Sequence, residues 1–100
     1  MIDMSYIIHD ITERNNMKQS IDYNGKTITL PFHIPGDMLK PDITEAANHF
    51  SGETISLPRF AKAVRNEILH AELEQNYPVV RKGLDWFRKH FAKEYMVLLD

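Results

Sequence analysis

The segment QSIDYNGKTITLPF, residues 19–32, carries the clearest local structural pattern in this chain. Asn24 and Gly25 lie between two alternating runs, and this dipeptide tolerates the positive φ angles that a type I′ hairpin turn requires. Pro31 has no amide hydrogen to donate to a neighbouring strand, so the second arm is predicted to be an edge strand or to end there. The segment therefore predicts an antiparallel β-hairpin.

The pattern of the second arm indicates which side of the hairpin is buried. Ile28, Leu30 and Phe32 alternate with polar residues, so they share one face that we expect to pack on a core. Upstream, residues 4–12 are also rich in β-forming residues and predict a further strand. The sequence thus predicts two or three antiparallel strands within the region 4–33.

From Pro41 onward the spacing of apolar residues becomes helical. A first helix is predicted from Pro41 to about Phe50, with Gly52 as its C-terminal stop. A second helix is predicted to begin at Ser56 as N-cap and to end before the segment QNYP. The third, Pro78–Leu98, has the most regular amphipathic pattern, with one apolar stripe formed by Val80, Leu84, Phe87, Phe91, Tyr95 and Leu98.

The order of these elements predicts the fold class. Strands come first and helices follow, which is typical of an α+β domain. We expect a single domain over residues 1–100, with an N-terminal antiparallel β-hairpin or three-stranded sheet packed on three C-terminal helices. The sheet region spans about residues 4–33 and the helical region about residues 41–98.

Composition excludes several classes of protein. The 100 residues are 43% hydrophobic and 26% charged, which is typical of a globular chain and not of a disordered one. Cysteine is absent, which rules out disulfide frameworks, thiolate zinc sites and cysteine nucleophiles. Because a domain this small has little core, dimerisation or a partner would help to stabilise it.

The distribution of charge and hydropathy bears on partners and compartment. The net charge is −2, which argues against general binding of polyanions. Residues 1–58 carry four Lys/Arg against eight Asp/Glu, whereas residues 59–100 carry eight against six. The sequence contains neither an apolar run long enough for a membrane span nor a convincing signal peptide, so we expect a cytoplasmic protein without membrane contact.

One segment suggests nucleic-acid recognition. ISLPRFAKAVRNEI, preceded by TEAANHF, resembles the second and first helices of bacterial helix-turn-helix DNA-binding regulators over residues 44–68. On such a second helix, basic and amide side chains opposite the apolar arc would contact phosphates and base edges. The residues in these positions are Arg59, Lys62, Arg65 and Asn66.

The same segment departs from the helix-turn-helix pattern in its linker. The link NHFSGET is about three residues longer than the usual tight turn, which would re-aim the second helix. Leu69 and Leu73 also lie on the polar side of that helix. Their position suggests that this side of the helix contacts another helix or a second subunit. The alternative interpretation of the whole segment is two core helices with a solvated basic face.

The C-terminal helix offers a second candidate surface. Trp86 lies among lysines, away from the apolar stripe, and would anchor a protein partner or stack on a base. In the alternative interpretation, Trp86 lies half-buried under the hairpin and the lysines are solvated. The candidate protein-binding residues are Trp86, Lys82, Lys89 and Lys93.

Catalytic and metal motifs are weak. Glu67, His70 and Glu74 share one side of a helix at a spacing used in di-metal bundles, but a second such motif is missing from the sequence. His9 with Asp10 and His33 with Asp37 could pair a base with a carboxylate across the sheet. An enzyme also needs a nucleophile, a metal or an oxyanion site in a pocket, and no Gly-rich phosphate loop is present. We therefore predict no enzyme, no cofactor and no metal site.

These observations favour a non-enzymatic binding protein. The first hypothesis is a protein-binding module of inhibitor, antitoxin, immunity or adaptor type, whose acidic first half fits a basic partner. The alternative is a small helix-turn-helix transcriptional regulator that binds DNA, with a homodimer as its expected form. Net charge and the overlong linker favour the first hypothesis, whereas the helix pair favours the alternative.

Overall fold

The computed structural model of the protein describes residues 19–99. The predicted strand over residues 4–12, with His9 and Asp10, lies outside the described residues. Within them, two antiparallel hairpins are followed by three helices, so the fold is α+β with an N-terminal hairpin and C-terminal helices. The elements in chain order are β1 (Ser20–Tyr23), β2 (Lys26–Thr29), a 3₁₀ turn (Gly36–Met38), β3 (Ile43–Ala47), β4 (Thr54–Pro58), α1 (Arg59–Leu73), α2 (Tyr77–His90) and α3 (Ala92–Leu98).

The first hairpin forms as its sequence predicts. Asn24 and Gly25 have φ angles of 51° and 79°, and they connect β1 to β2 with Tyr23 paired to Lys26. Ile28 and Leu30 are buried and Phe32 packs against the same core, which confirms the predicted face. The regular strand ends at Thr29, before Pro31.

The second hairpin replaces the predicted first helix. Residues 43–47 pair antiparallel with residues 54–58, and the link between them is a turn in which Gly52 has a φ of 78°. Ile43 and Phe50 have the helical spacing that suggested a buried stripe, but they are 60% and 93% exposed. Strand pairing with residues 54–58 provides hydrogen-bond partners for the backbone of this segment. This non-local pairing outweighs the helical spacing of its apolar residues.

The predicted start of the second helix was also wrong. Ser56 lies in β4, and α1 begins after Pro58 at Arg59. The amides of Arg59 and Phe60 donate to the carbonyl oxygens of Asp42 and Lys40, at 2.8 and 3.1 Å. Backbone acceptors thus satisfy two of the unpaired donors at the helix start, where no side chain caps them.

The C-terminal helical region is interrupted where one continuous helix was predicted. Phe91, with φ −139° and ψ 58°, separates α2 from α3 and remains buried. The predicted stripe holds on both sides of this break: four of its residues are buried, and Leu84 and Tyr95 pack against the core. The break turns α3 back towards β4 and the second hairpin.

Close approach of α1 and α2 completes the core. A Cβ atom added at Gly83 would lie 2.4 Å from Cγ1 of Ile68 and 2.8 Å from its Cδ1. Only glycine at this position allows the two helices their observed separation. The core between the helices and the first hairpin includes Phe60, Val64, Ile68 and Phe87, all fully buried. None of the helices in residues 19–99 is long and apolar enough to cross a membrane.

Candidate protein-interaction surface

An exposed apolar patch lies where the second hairpin meets the C-terminal half of α1. Phe50, at the tip of the hairpin, and Leu73, in the last turn of α1, are 93% and 85% exposed. Together with Leu69 they line a shallow groove of about 260 Å³, which is bordered by His49 and Glu72. We call these five residues the Phe50–Leu73 patch. Contiguous exposed apolar side chains make such a patch a candidate interaction site.

The hairpin tip is held in a defined conformation by Asn48. Its Oδ1 atom accepts hydrogen bonds from the amides of Phe50 and Ser51, at 2.7 and 2.9 Å. Its Nδ2 atom donates to the carbonyl of Val97 in α3 at 2.8 Å. One side chain thus shapes the turn and ties it to the C-terminal helix, so Phe50 is presented from an ordered support.

The ring of His49 supports Phe50 from one side. The two ring centroids lie 5.1 Å apart with an interplanar angle of 83°, an edge-to-face arrangement that aromatic pairs prefer. On the helical side, Leu69 and Leu73 are one turn apart and therefore project from the same face of α1. The patch thus has an aromatic wall and an aliphatic wall, each supplied by a different element.

One acidic residue lines the groove and another lies in the adjoining turn. Glu72 borders the groove directly, and Glu53 closes the same hairpin turn, where its carbonyl accepts from the Asn48 amide at 2.7 Å. The nearest basic side chain on α1 in sequence, Arg65, is directed to the carbonyl of Ala47. The groove thus combines an apolar centre with one bordering carboxylate, that of Glu72.

Trp86 does not form an exposed anchor. It is only 7% exposed, and its Nε1 atom donates to the carbonyl of Thr29 in β2 at 2.8 Å. The alternative interpretation, that the tryptophan lies under the hairpin, describes its position. Lys82, Lys89 and Lys93 are exposed as predicted, but they surround a core residue and not a partner-facing tryptophan.

The four predicted DNA-contacting residues are not presented as a set. The guanidinium of Arg59 pairs with the carboxylate of Asp42 at 2.6 Å. Arg65 donates to the Ala47 carbonyl and to Oδ1 of Asn66, and burial lowers the pKa of its guanidinium. The supporting helix of the motif is replaced by β3. Both arginines are thus engaged in contacts within the chain, which leaves Lys62 and the amide nitrogen of Asn66 on this face.

The side chains of Glu67, His70 and Glu74 form an exposed polar cluster on α1. Nδ1 of His70 lies 3.9 Å from Glu67 and its Nε2 lies 3.6 Å from Glu74. All three side chains are about half exposed, and nothing in residues 19–99 brings a second set of ligands to them. His33 and Asp37 are both exposed, without a hydrogen bond between them in the described part of the chain.

The residues of the Phe50–Leu73 patch were only partly visible in the sequence. Leu69 and Leu73 stood out as apolar residues on the polar side of α1, and that exception identified the helical wall. Phe50 was assigned to a buried helix stripe, so the hairpin wall was missed. Comparison of the chain with protein-family models, with curated proteins and with solved structures finds no match.

Proposed function

We propose that this protein is a non-enzymatic protein-binding module, of inhibitor, antitoxin, immunity or adaptor type, and that it acts in the cytoplasm. In this proposal the Phe50–Leu73 patch binds an apolar segment of a basic protein partner. The single observation that carries the proposal is the exposure of Phe50 and Leu73 in one groove. Burial of such side chains contributes about 1.5–3 kcal/mol each to association before the costs of ordering.

We infer a basic partner from Glu72, which borders the groove, and from Glu53 in the adjoining turn. A basic side chain that flanks an apolar anchor would pair with these carboxylates at the rim, where charges chiefly set association rate and selectivity. An acidic partner would meet like charges at the same positions. The expected ligand is therefore an amphipathic segment with aliphatic residues on one face and Lys or Arg beside them.

The DNA-binding alternative takes second place. The ion pair of Arg59 and the contact of Arg65 with Ala47 would have to be given up before either guanidinium reached a base edge. Lys62 and Asn66 alone offer a small basic footprint, and phosphate contacts supply most of the affinity in such complexes. Fluorescence anisotropy of a labelled mixed-sequence duplex, titrated with the protein at low and at high salt, tests this alternative.

Two synthetic helical peptides, one of Leu and Lys and the other of Leu and Glu in the same pattern, test the proposal. Titration of the ¹⁵N-labelled protein with the Leu/Lys peptide should shift the amide signals of residues 48–53 and 69–74 saturably. Leu73→Ser should weaken this binding about tenfold, since one buried leucine is worth about that factor. Met96→Ser, at another exposed apolar residue, is the matched control and should bind as the wild type does.

Three results would overturn the proposal. If the Leu/Glu peptide bound as tightly as the Leu/Lys peptide, the partner would not need to be basic. If Leu73→Ser and Met96→Ser weakened peptide binding equally, the Phe50–Leu73 patch would not be the binding site. A wild-type dimer that Leu73→Ser dissociates, seen by sedimentation velocity, would make a second copy the occupant. Salt-sensitive duplex binding that is lost in Lys62→Ala but retained in Leu73→Ser would instead support the DNA alternative.

A further inference from the structure

A second groove, of about 350 Å³, lies at the turn end of the first hairpin. It runs between the Asn24-Gly25 turn and the junction of α2 with α3. Ile28, Phe91 and the ring of Tyr23 supply its apolar part, and both Ile28 and Phe91 are buried. Lys26, His90 and Lys93 supply its polar part. The volume is within the range of small-ligand sites.

Three separate elements bring these polar side chains together. The tight turn places Lys26 directly opposite Tyr23 in the β1–β2 register. The hydrogen bond from Trp86 to Thr29 holds β2 against α2, and His90 follows Trp86 by one helical turn with ring centroids 5.4 Å apart. The break at Phe91 then places Lys93 in the first turn of α3. The site is thus assembled by the fold and not by one run of sequence.

Basic groups outnumber acidic ones at this groove. Lys26 and Lys93 line it together with one carboxylate, that of Glu94. Within residues 19–99 none of these three side chains forms an ion pair. Burial lowers the pKa of His90, and the positive charges of Lys89 and Lys26 lower it further.

We propose that this groove binds the phosphate group of a small phosphate-bearing ligand. Lys26 and Lys93 would each donate to the phosphate oxygens from opposite walls, and the imidazole N–H of His90 would donate a further hydrogen bond. A dianion compensates two ammonium groups at once, whereas a single carboxylate compensates one. The ring of Tyr23 offers a face on which an aromatic part of the ligand stacks.

Protonation of His90 gives this proposal a direct readout. A bound phosphate anion places negative charge beside the imidazole and favours its protonated form, so binding should raise the pKa of His90. The groups that face the ring are Lys26 from β2, Lys89 from its own helix, and Lys93 and Glu94 from α3. The phosphate group itself takes up a proton in this range, since its second pKa is about 6, so the readout is the imidazole signal of His90 and not a total proton count.

The experiment follows the His90 imidazole signals by NMR from pH 5 to 8 at constant ionic strength. Inorganic phosphate, adenosine monophosphate and adenosine are the three probes, with sodium chloride as the reference. Inorganic phosphate and the monophosphate should each raise the pKa of His90 saturably, and adenosine should leave it unchanged. Tighter binding of the monophosphate than of inorganic phosphate would identify a nucleotide-like ligand, and equal binding would identify the phosphate group alone as the determinant.

Variants locate the site. Lys26→Ala and Lys93→Ala should each weaken phosphate binding about tenfold, because each removes one charge-assisted contact. Lys82→Ala, an exposed lysine on α2 outside the groove, is the matched control and should bind as the wild type does. The proposal is overturned if neither phosphate probe shifts the pKa, if adenosine acts as the monophosphate does, or if all three variants respond alike.

Discussion

The indole Nε1 of Trp86 in α2 donates a 2.8 Å hydrogen bond to the backbone carbonyl of Thr29, the last residue of β2. This bond joins the first hairpin to the helical region across 57 residues of chain. The indole also contacts the rings of Phe60, Phe87 and Phe91, with centroid separations of 5.6–6.3 Å. Trp86 therefore links the two parts of the α+β fold through both a polar and an aromatic contact.

Replacement of Trp86 should accordingly destabilise the protein. We expect Trp86→Ala to lower the free energy of unfolding by about 3–5 kcal/mol and Trp86→Phe by about 1–3 kcal/mol, since phenylalanine keeps an aromatic ring but leaves the Thr29 carbonyl unpaired. Urea denaturation followed by circular dichroism measures both. Tyr77→Ala, at an exposed aromatic residue on the same helix, should cost less than about 1 kcal/mol. A loss below 1 kcal/mol for Trp86→Ala would contradict the structural role.

The first hairpin and the position of Trp86 show how far the sequence could predict the fold. The hairpin was predictable because Asn24-Gly25 and the alternation around it are local signals of turn and strand. The burial of Trp86 was not, because it depends on a hairpin that covers the helix from a distant part of the sequence. Apolar contacts on two sides widen the buried arc of α2 beyond the single stripe that periodicity predicts.

The second hairpin shows why the candidate surface was harder to predict. Ile43, Ala46 and Phe50 have helical spacing, yet of these three only Ala46 is buried. Their strand conformation depends on pairing with residues 54–58, a non-local interaction that no window around Phe50 contains. Leu69 and Leu73, by contrast, were recognisable as apolar residues on a polar helix face because the helix around them follows its own local pattern.

Gly83 should be intolerant of any side chain. Alanine has the higher helix propensity, by about 1 kcal/mol, but its Cβ would lie within 3 Å of Ile68, whose side chain is fully buried. Overpacking of this kind costs about 1–3 kcal/mol, so we expect Gly83→Ala to lower the thermal midpoint despite the gain in propensity. Differential scanning calorimetry measures it. Gly36→Ala, where an added Cβ meets nothing within 4 Å, is the control, and an unchanged or raised midpoint for Gly83→Ala would show that α1 and α2 separate easily.

His90 should make the protein less stable as the pH falls. Because burial, Lys89 and Lys26 lower the pKa of His90, the folded protein binds fewer protons there than the unfolded chain, whose histidine has a pKa of about 6.5. The free energy of unfolding should thus decrease as the pH falls through about 6.5, and level off below the folded pKa. His90→Gln should show a smaller decrease between pH 8 and 5 than the wild type. Urea titrations at both pH values measure this difference.

The control for that prediction is His33→Gln, since His33 is exposed and does not line the second groove. It retains His90 and should therefore keep the wild-type decrease. If His90→Gln and the wild type lost the same stability between pH 8 and 5, the imidazole would not be responsible. If His90→Gln and His33→Gln both reduced the pH-dependent loss of stability by the same amount, the loss would not be specific to His90.

Asn48 connects the presentation of Phe50 to the position of α3, and its two amide atoms have separable roles. Asn48→Asp keeps an oxygen that accepts from the amides of Phe50 and Ser51 but replaces the donor to the Val97 carbonyl with a second oxygen. The new carboxylate would face the C-terminal carbonyls of α3, the negative end of that helix. We expect a loss of about 1–3 kcal/mol in the free energy of unfolding, measured by urea denaturation.

The distribution of that loss along the chain distinguishes the two roles. Hydrogen exchange of Asn48→Asp should show reduced protection in residues 95–99, because the tie to α3 is broken, while the amides of residues 50 and 51 keep their acceptor. Asn76→Asp, at an N-cap whose side chain makes no capping hydrogen bond, is the matched control and should cost less than about 0.5 kcal/mol. If Asn48→Asp were as stable as the wild type, Asn48 would serve the turn alone. Phe50 would then be presented independently of α3, and the Phe50–Leu73 patch would be supported by α1 and the hairpin only.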